Sequence, residues 1–254
     1  YPRAMPIPPE ALDAWLATPL GRTLLARERA AVAEAMEHVF GVQCLQVGRW
    51  GPADTFLPLA RTPRRTLLAE PGARGHFVSH AASLAVLTDS VDALLLPHTL
   101  EFAPDPHAVI REVDRVLVGE GHLLVLGFEP WSWWSLRHHL SDSGFPPGLD
   151  RLLSRSRLRD WLRLLGFDVL EVRRFLHTLP LARLHGGRIE HSLEHVGQRL
   201  HGHFGSVYLL KAKKRVYTLT PVRPRQRRVR ALVGGLVEPT SQSRAARSGH
   251  GSGR

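Results

Sequence analysis

The stretch Asp92-Ala-Leu-Leu-Leu-Pro97 says more about the fold than any other segment of this sequence. Its apolar run is nearly continuous, which is typical of strands buried on both faces of a parallel sheet. Asp105-Pro106 then predicts the start of an amphipathic helix that ends at Gly119, and the residues from His122 to Phe128 form the next apolar run. Strand, helix and strand in this order predict a right-handed parallel unit.

The same alternation continues on both sides of this unit. Thr18-Pro19 begins a predicted helix that Gly41 stops, and a second helix is predicted over 155–165. Alternating strands and helices indicate an α/β fold with a mostly parallel sheet, and the final two strands are candidates for an antiparallel edge pair. The remaining strands are predicted at 42–47, 66–70, 76–79, 167–174 and 204–210.

Charge is distributed very unevenly along the 254 residues. Residues 211–254 contain twelve basic residues and one acid, so they carry the whole net charge of +11, and residues 1–210 are neutral. The main part of the chain therefore has no electrostatic footprint for nucleic acid. From Pro221 onward, Arg, Pro, Gly and Ser dominate, which predicts a disordered tail. The alternative is a weak anchor for nucleic acid or acidic lipid.

Other broad features argue against several classes of protein. No apolar stretch approaches the roughly 18 residues that span a bilayer. Residues 1–10 are rich in proline and contain no apolar signal-peptide core. The one cysteine, Cys44, excludes an internal disulfide and a zinc site built on several thiolates. Together these features predict a cytoplasmic protein.

Ligands of open α/β sheets bind outside the carboxyl ends of the strands. Gly48 follows the first predicted strand, and Glu70 follows the second, where it can accept hydrogen bonds from ribose hydroxyls. His80-Ala81 follows the third and Pro97-His98 the fourth. The loop Leu45-Gln-Val-Gly-Arg-Trp-Gly51 is not G-x-G-x-x-G, which argues against a pyrophosphate-binding dinucleotide site.

The order and spacing of several short stretches in residues 92–134 and just before them are distinctive. These stretches are Ser90–Glu101, Asp105-Pro106, Arg111-Glu112, Arg115–Leu117 and Gly119–Leu124. In them the sequence resembles the class I S-adenosylmethionine-dependent methyltransferases of the methyltransferase type 11 kind. The segments that match a proteobacterial subgroup of these proteins more closely are Thr18–Glu28, Leu45–Gly51 (LQxGxWG), Leu96–Glu101 (LPHTLE), Gly127–Trp134 and Gly205–Arg215.

This resemblance implies a Rossmann-like, seven-stranded, mostly parallel sheet with an antiparallel last strand and helices on both faces. It implies a methyltransferase-like domain over 42–220, preceded by a helical segment at 1–41 that packs on it and followed by the tail at 221–254. It also implies the cofactor S-adenosyl-L-methionine and no metal. The candidate cofactor-binding residues are Gln46 and Gly48 for the methionyl group, Trp50 in the same loop, Glu70 for the ribose, His80 and Ala81 for the adenine, and Pro97 under the sulfonium.

His98, beside Pro97, is the candidate general base for an acceptor that must lose a proton. Gln46 and His80 stand where the family usually has acids, and Trp50 stands where it has a second glycine. The sequence does not indicate the methyl acceptor. The alternative hypothesis is a catalytically inactive module of the same fold, whose basic tail binds nucleic acid or acidic surfaces.

Two further patterns have competing interpretations. His191-Ser-Leu-Glu-His195 fits the zinc motif H-x-x-E-H, but a solvated helix is the favoured interpretation. Trp131, Trp133 and Trp134 follow a predicted strand, where large aromatic side chains either line an acceptor pocket or pack a short helix.

Overall fold

The computed structural model describes residues 9–52, 55–132, 134–135, 146–149, 151–176 and 206–216. The described strands are β1 (Gln43–Val47), β2 (Arg64–Ala69), β3 (Phe77–Val78), β4 (Val91–Pro97), β5 (Leu117–Phe128), β6 (Phe167–Phe175) and β7 (Val207–Lys214). The described helices are α1 (Pro9–Leu16), α2 (Pro19–Met36), α3 (Thr99–Phe102), α4 (Pro106–Val116) and α5 (Arg155–Leu164). The predicted tail at 221–254 lies outside these residues, and so does the motif at 191–195.

The strands form one seven-stranded sheet in the order β3-β2-β1-β4-β5-β7-β6. Strands β1 to β5 pair in parallel, whereas β7 is antiparallel to both of its neighbours. This topology confirms the predicted Rossmann-like fold class, including its antiparallel last strand. The strand order reverses at β1, so the carboxyl ends of β1 and β4 flank the point where such sheets bind ligands.

Helices cover both faces of the sheet, as predicted. The apolar residues of α4 and α5 share one core cluster with Leu45, Leu94 and Leu123. Those of α2 share a second cluster with alternate strand residues such as Cys44 and Leu124. Since successive strand residues point to opposite faces, these two clusters are the two sides of the sheet.

Local signals set the starts of the long helices. Thr18 Oγ1 accepts a hydrogen bond from the backbone N–H of Gly21 at 3.2 Å, and Pro19 occupies the first turn of α2. The Asp105 carboxylate caps α4 in the same way through the N–H of Ala108 at 3.1 Å. Both starts agree with the sequence predictions.

The end of α4 differs from the prediction. The helix stops at Val116, not at Gly119, because Leu117 already pairs with Val91 as the first residue of β5. The register then shifts, and His122 pairs with Ala93. The strand predicted to begin at His122 therefore begins five residues earlier. The local sequence pattern does not show this, because the pairing of Leu117 with a residue of β4 defines the start of the strand.

The connection from β1 to β2 contains, in its described residues, only one turn of 3-10 helix, Leu57–Leu59. The face of the sheet beside it is covered by α2, which precedes β1 in the chain.

None of the helices formed by the described residues is long and apolar enough to cross a membrane.

Candidate functional site

The loop after β1 is held closely against the residue that opens α3. Gly48 has φ +88°, and its N–H donates to the carbonyl oxygen of Leu68 at 2.9 Å. Thr99 Oγ1 donates to the carbonyl oxygen of Val47 at 2.5 Å. A Cβ at Gly48 would lie 2.6 Å from Thr99 Oγ1, so this position requires glycine both for its backbone conformation and for space.

Gln46 places a polar side chain inside this edge of the sheet. Its residue is 1% exposed, and its Nε2 donates to the carbonyl oxygen of Gly48 at 3.1 Å. Its Oε1 is buried and has no hydrogen-bond partner among the described residues. Because buried acceptors are rarely left unpaired, this oxygen suits a ligand that brings an N–H donor.

Glu70, His80 and Ala81 come together directly after β2 and β3. Glu70 Oε1 accepts the backbone N–H of Ala81 at 2.6 Å, and Oε2 lies 3.2 Å from His80 Nδ1. The side chains of Glu70 and His80 are 46% and 73% exposed. Each carboxylate oxygen can accept a second hydrogen bond, so this pair remains open to a ligand with hydroxyl groups.

Trp50 and His98 lie in the core beneath the edge. The Trp50 indole is 1% exposed, and its Nε1 donates to Glu28 Oε2 at 2.7 Å. The His98 ring stacks on it with centroids 4.2 Å apart. The sequence predicted Trp50 to contact the cofactor, whereas the structure directs this indole toward α2.

His98 is fully buried between two carboxylates. Its Nε2 is 2.7 Å from Glu28 Oε1, and its Nδ1 is 2.7 Å from Glu101 Oε2. Both ring nitrogens are therefore occupied, and the ring has no exposed surface. In this arrangement the ring cannot receive a proton from a methyl acceptor, which argues against the predicted role as general base. Pro97, before it, is the buried last residue of β4.

The protonation of this cluster follows from its surroundings. Burial by itself would lower the pKa of His98, but Glu28 and Glu101 outweigh burial and raise that pKa to about 9. The Glu101 carboxyl has a raised pKa, because burial outweighs its bonds to His98 and to the N–H of Phe128. A protonated His98 thus links α2, the β1 loop and the end of β4 through charge-assisted hydrogen bonds.

Sequence reasoning missed the two acids that hold His98. Glu28 is four residues after Leu24 and four before Val32, so it lies on the buried stripe of α2. A charged residue on an apolar stripe indicates a buried partner, because a buried charge needs a counter-charge. That partner is 70 residues away in sequence.

The tryptophans after β5, a possible metal site and Cys44 were the other features considered in the sequence. Trp131 is 82% exposed, Trp134 is buried, and Trp133 lies outside the described residues. Within the described ranges, no group of three or more His, Cys, Asp or Glu residues could hold a metal. Burial raises the pKa of the Cys44 thiol to about 12, so this cysteine is a core residue and not a nucleophile.

Comparison with known proteins agrees with this architecture. A family model described as "Methyltransferase domain" matches residues 59–125, which include Glu70, His80, Ala81 and the whole of β4. The matched residues 59–125 are part of a methyltransferase domain. The resemblance to class I S-adenosylmethionine-dependent methyltransferases is thereby confirmed, although the matched region begins after the Gly48 loop.

Two curated relatives align with similar shares of the chain. The uncharacterized protein YafS of Escherichia coli is 36% identical over 159 residues, which are 61% of this chain and 61% of YafS. The uncharacterized protein Rv2003c of Mycobacterium tuberculosis is 35% identical over 184 residues, which are 68% of this chain and 63% of Rv2003c. The chain thus matches less than two thirds of the length of either relative.

Solved structures share the fold of this methyltransferase domain at low sequence identity. An S-adenosylmethionine-dependent methyltransferase of Thermotoga maritima, described as a possible histamine N-methyltransferase, is 20% identical with a TM-score of 0.54, covering 76% of this chain and 92% of that one. A second such methyltransferase, from Archaeoglobus fulgidus, is 15% identical with a TM-score of 0.53, covering 75% and 94%. At these identities the likeness concerns the fold alone.

Proposed function

We propose that this domain binds S-adenosyl-L-methionine and transfers its methyl group to an acceptor. The observation that carries the proposal is the buried Gln46 Oε1 beside Gly48, which has no hydrogen-bond partner in the described part of the chain. It lies on the same edge of the sheet as the half-exposed Glu70 carboxylate. An acceptor atom next to a glycine turn suits an ammonium group, and a carboxylate at the end of β2 suits a ribose diol. The residues present therefore fit both polar ends of the aminoacyl nucleoside.

Each residue has a defined part in holding the cofactor. Gln46 Oε1 accepts a hydrogen bond from the ammonium group, while Gly48 keeps the backbone of the loop close. Glu70 accepts the ribose hydroxyls with the lone pairs left free by Ala81 and His80. When bound, the cofactor supplies a sulfonium-activated methyl group, so the protein needs chiefly to align the acceptor and exclude water.

His98 supports this site from the core, beneath the edge of the sheet. Through Glu28 it is tied to the Trp50 indole, and through its backbone N–H it bonds the carbonyl oxygen of Leu126 at 3.1 Å. His98 itself adopts φ +57°, a left-handed conformation that costs energy for a residue with a side chain. The cluster thereby fixes the turns at the ends of β1 and β4, and His98 is a positioning residue.

Calorimetric titration with S-adenosylmethionine and S-adenosylhomocysteine tests the proposal. We expect micromolar binding to the wild type and loss of binding in Gly48→Ala, because the new Cβ would displace Thr99 from the loop. Gly166→Ala is the matched control, since Gly166 also has positive φ, +83°, but a Cβ there meets nothing within 4 Å and the turn lies between α5 and β6, away from the site. No binding by the folded wild type at millimolar cofactor would refute the proposal.

A catalytically inactive module is the second candidate. The observation that favours it is the inward Trp50, which fills the core below the loop where the family usually has a glycine. On this alternative, the basic residues of 221–254 bind nucleic acid or acidic surfaces. Removing 221–254 would then abolish an interaction, and the wild type would bind no cofactor.

A further inference from the structure

The carboxyl end of β5 holds a second polar cluster, two strands away from β1. Glu129 directly follows β5, and its backbone N–H donates to the carbonyl oxygen of Ser206 at 2.9 Å. Phe128 pairs with Val207 in the antiparallel ladder, so Glu129 and Ser206 are the next opposed pair. Directly opposed residues project to the same face, with Cβ atoms about 5 Å apart.

Each of these side chains carries a buried polar atom that has no hydrogen-bond partner among the described residues. Glu129 is 7% exposed and Ser206 is 0% exposed. In the part of the chain that the structure describes, neither Glu129 Oε2 nor Ser206 Oγ has a hydrogen-bond partner. Arg155 Nε lies 3.9 Å from Glu129 Oε2, which is beyond hydrogen-bond range. Native proteins seldom leave two adjacent polar atoms unpaired, so the pair points to a ligand with hydrogen-bond donors.

The charge around Glu129 suits proton transfer. Burial raises the pKa of its carboxyl above the usual range, although Arg155 and Arg174 oppose that shift. A carboxylate with a raised pKa is a better proton acceptor near neutral pH than an exposed one. His98, by contrast, has both nitrogens occupied.

We propose that Glu129 and Ser206 form the acceptor end of the methyl-transfer site and bind an amine or hydroxyl group. This inference rests on the proposed function. As the acceptor nitrogen or oxygen forms its bond to the methyl carbon, the carbon–sulfur bond breaks and its electron pair passes to sulfur. The N–H or O–H proton passes to Glu129 Oε2, which later releases it to solvent, while Ser206 Oγ holds the acceptor.

Carbon-13 NMR of protein labelled at the glutamate carboxyl carbons tests this site without the cofactor. Glu129→Gln assigns the Glu129 resonance by its absence. We expect that resonance to titrate at higher pH than the exposed glutamates and to shift when n-butylamine or n-butanol is added. Sodium butyrate, of matched size and opposite charge, is expected to leave it unchanged. Ser206→Ala is expected to weaken the n-butylamine effect about fivefold, as for loss of one hydrogen bond.

The melting temperature is an independent measurement that distinguishes a ligand-binding carboxylate from a structural one. Removing the charge of a structural carboxylate lowers the melting temperature. Glu129→Gln is expected to melt no lower than the wild type, because the long ion pair with Arg155, at 3.9 Å, does not offset the cost of burying the carboxylate. Glu112→Gln is the contrasting variant, since Glu112 accepts the N–H of Leu84 at 2.8 Å and pairs with Arg115 at 2.7 Å. It is expected to melt at a lower temperature than the wild type.

The possible results separate this inference from the proposed function. A Glu129 resonance that ignores both n-butylamine and n-butanol, or that responds to butyrate instead, would overturn the acceptor site. A clear fall in the melting temperature of Glu129→Gln would also count against it. Cofactor titration of the wild type decides the proposed function separately. Cofactor binding without an amine or alcohol response would refute only the acceptor site.

Discussion

Two histidine–glutamate contacts at the same edge of the sheet have opposite surroundings. His98 is bound by two carboxylates at 2.7 Å each, with ring and carboxylates almost wholly buried. His80 faces one carboxylate, Glu70, at 3.2 Å, and both side chains are exposed to a large extent. The residue types are the same, but the buried contact is charge-assisted in a dry interior, whereas the exposed one is weakened by water.

The difference distinguishes residues that support the fold from residues that are available to bind a ligand at the same edge of the sheet. In the buried cluster, every polar atom of the His98 ring is satisfied by the protein, so a ligand can gain nothing there. Around Glu70, each oxygen has one protein contact and one lone pair to spare. We therefore expect changes to the buried cluster to act on folding and changes to the exposed pair to act on binding.

Replacement of His98 is expected to have the largest effect. His98→Ala leaves the Glu28 and Glu101 carboxylates buried without their shared counter-charge, which costs about 3–5 kcal/mol in free energy of unfolding. Urea denaturation at pH 7 measures the loss. His80→Ala is the control and is expected to stay within about 0.5 kcal/mol of the wild type. A loss below about 1 kcal/mol for His98→Ala would contradict the distinction between the two contacts.

The pH dependence of stability is expected to show the same cluster. The pKa of His98 rises from 6.5 to about 9 on folding, so the folded protein holds this proton more tightly than the unfolded chain. Its contribution is complete below about pH 6.5 and is lost as the pH rises through 9; the raised pKa of Glu101 acts in the same direction. We expect a loss on the order of 3 kcal/mol between these limits.

Denaturation curves at several pH values between 6 and 9.5 measure this loss. His98→Gln cannot carry the charge, so its stability is expected to change much less over the interval. A wild-type stability that rises with pH over the same range would show that the cluster is not held together by a protonated His98.

A subtler change tests one bond of the buried cluster. Trp50→Phe removes the indole N–H from Glu28 Oε2 and leaves that oxygen buried and unpaired, at a cost of about 2 kcal/mol. Thermal or urea melts measure the effect. Trp131→Phe makes the same substitution at an exposed position and is expected to be neutral within about 0.5 kcal/mol. Equal effects from the two variants would remove Trp50 from the supporting network.

The smallest effect on folding is expected at the exposed pair. Glu70→Gln keeps an acceptor for the Ala81 N–H, so the free energy of unfolding is expected to change by less than about 1 kcal/mol. Affinity for S-adenosylmethionine is expected to fall about tenfold, which corresponds to about 1.4 kcal/mol. Calorimetry compares it with Glu37→Gln, an exposed change on the turn after α2. Unchanged affinity would place the ribose elsewhere.

Sequence reasoning predicted the fold well where the signals are local. The apolar run from Asp92 and the caps at Thr18 and Asp105 each fix an element within a few residues, and all three were confirmed. The early start of β5 was not predictable in this way, because Leu117 is in a strand only through its pairing with Val91. Helix α1, Pro9–Leu16, lies inside the predicted helical segment at 1–41, but its own bounds were not predicted.

The candidate site shows the same difference between features set by local sequence and features set by distant contacts. The rule that ligand residues follow strands brought Glu70, His80 and Ala81 to one place, and the structure places them in contact. Their role toward the cofactor stays a prediction. The rule also brought His98 to the edge, but whether its ring faces the cleft or the core depends on Glu28, which is distant in sequence.

The position of β7 between β5 and β6 has a consequence for synthesis of the chain. In the described sheet β6 is bonded only to β7, and β7 follows β6 in sequence. A nascent chain that has emerged from the ribosome as far as Phe175 therefore displays an unpaired edge on β5 and a strand, β6, with no neighbour to join. Because unpaired strand edges invite aggregation, the sheet depends on release of residues 207–214 before it can close. Until then, the unpaired edge of β5 is the surface to which a holding chaperone would bind.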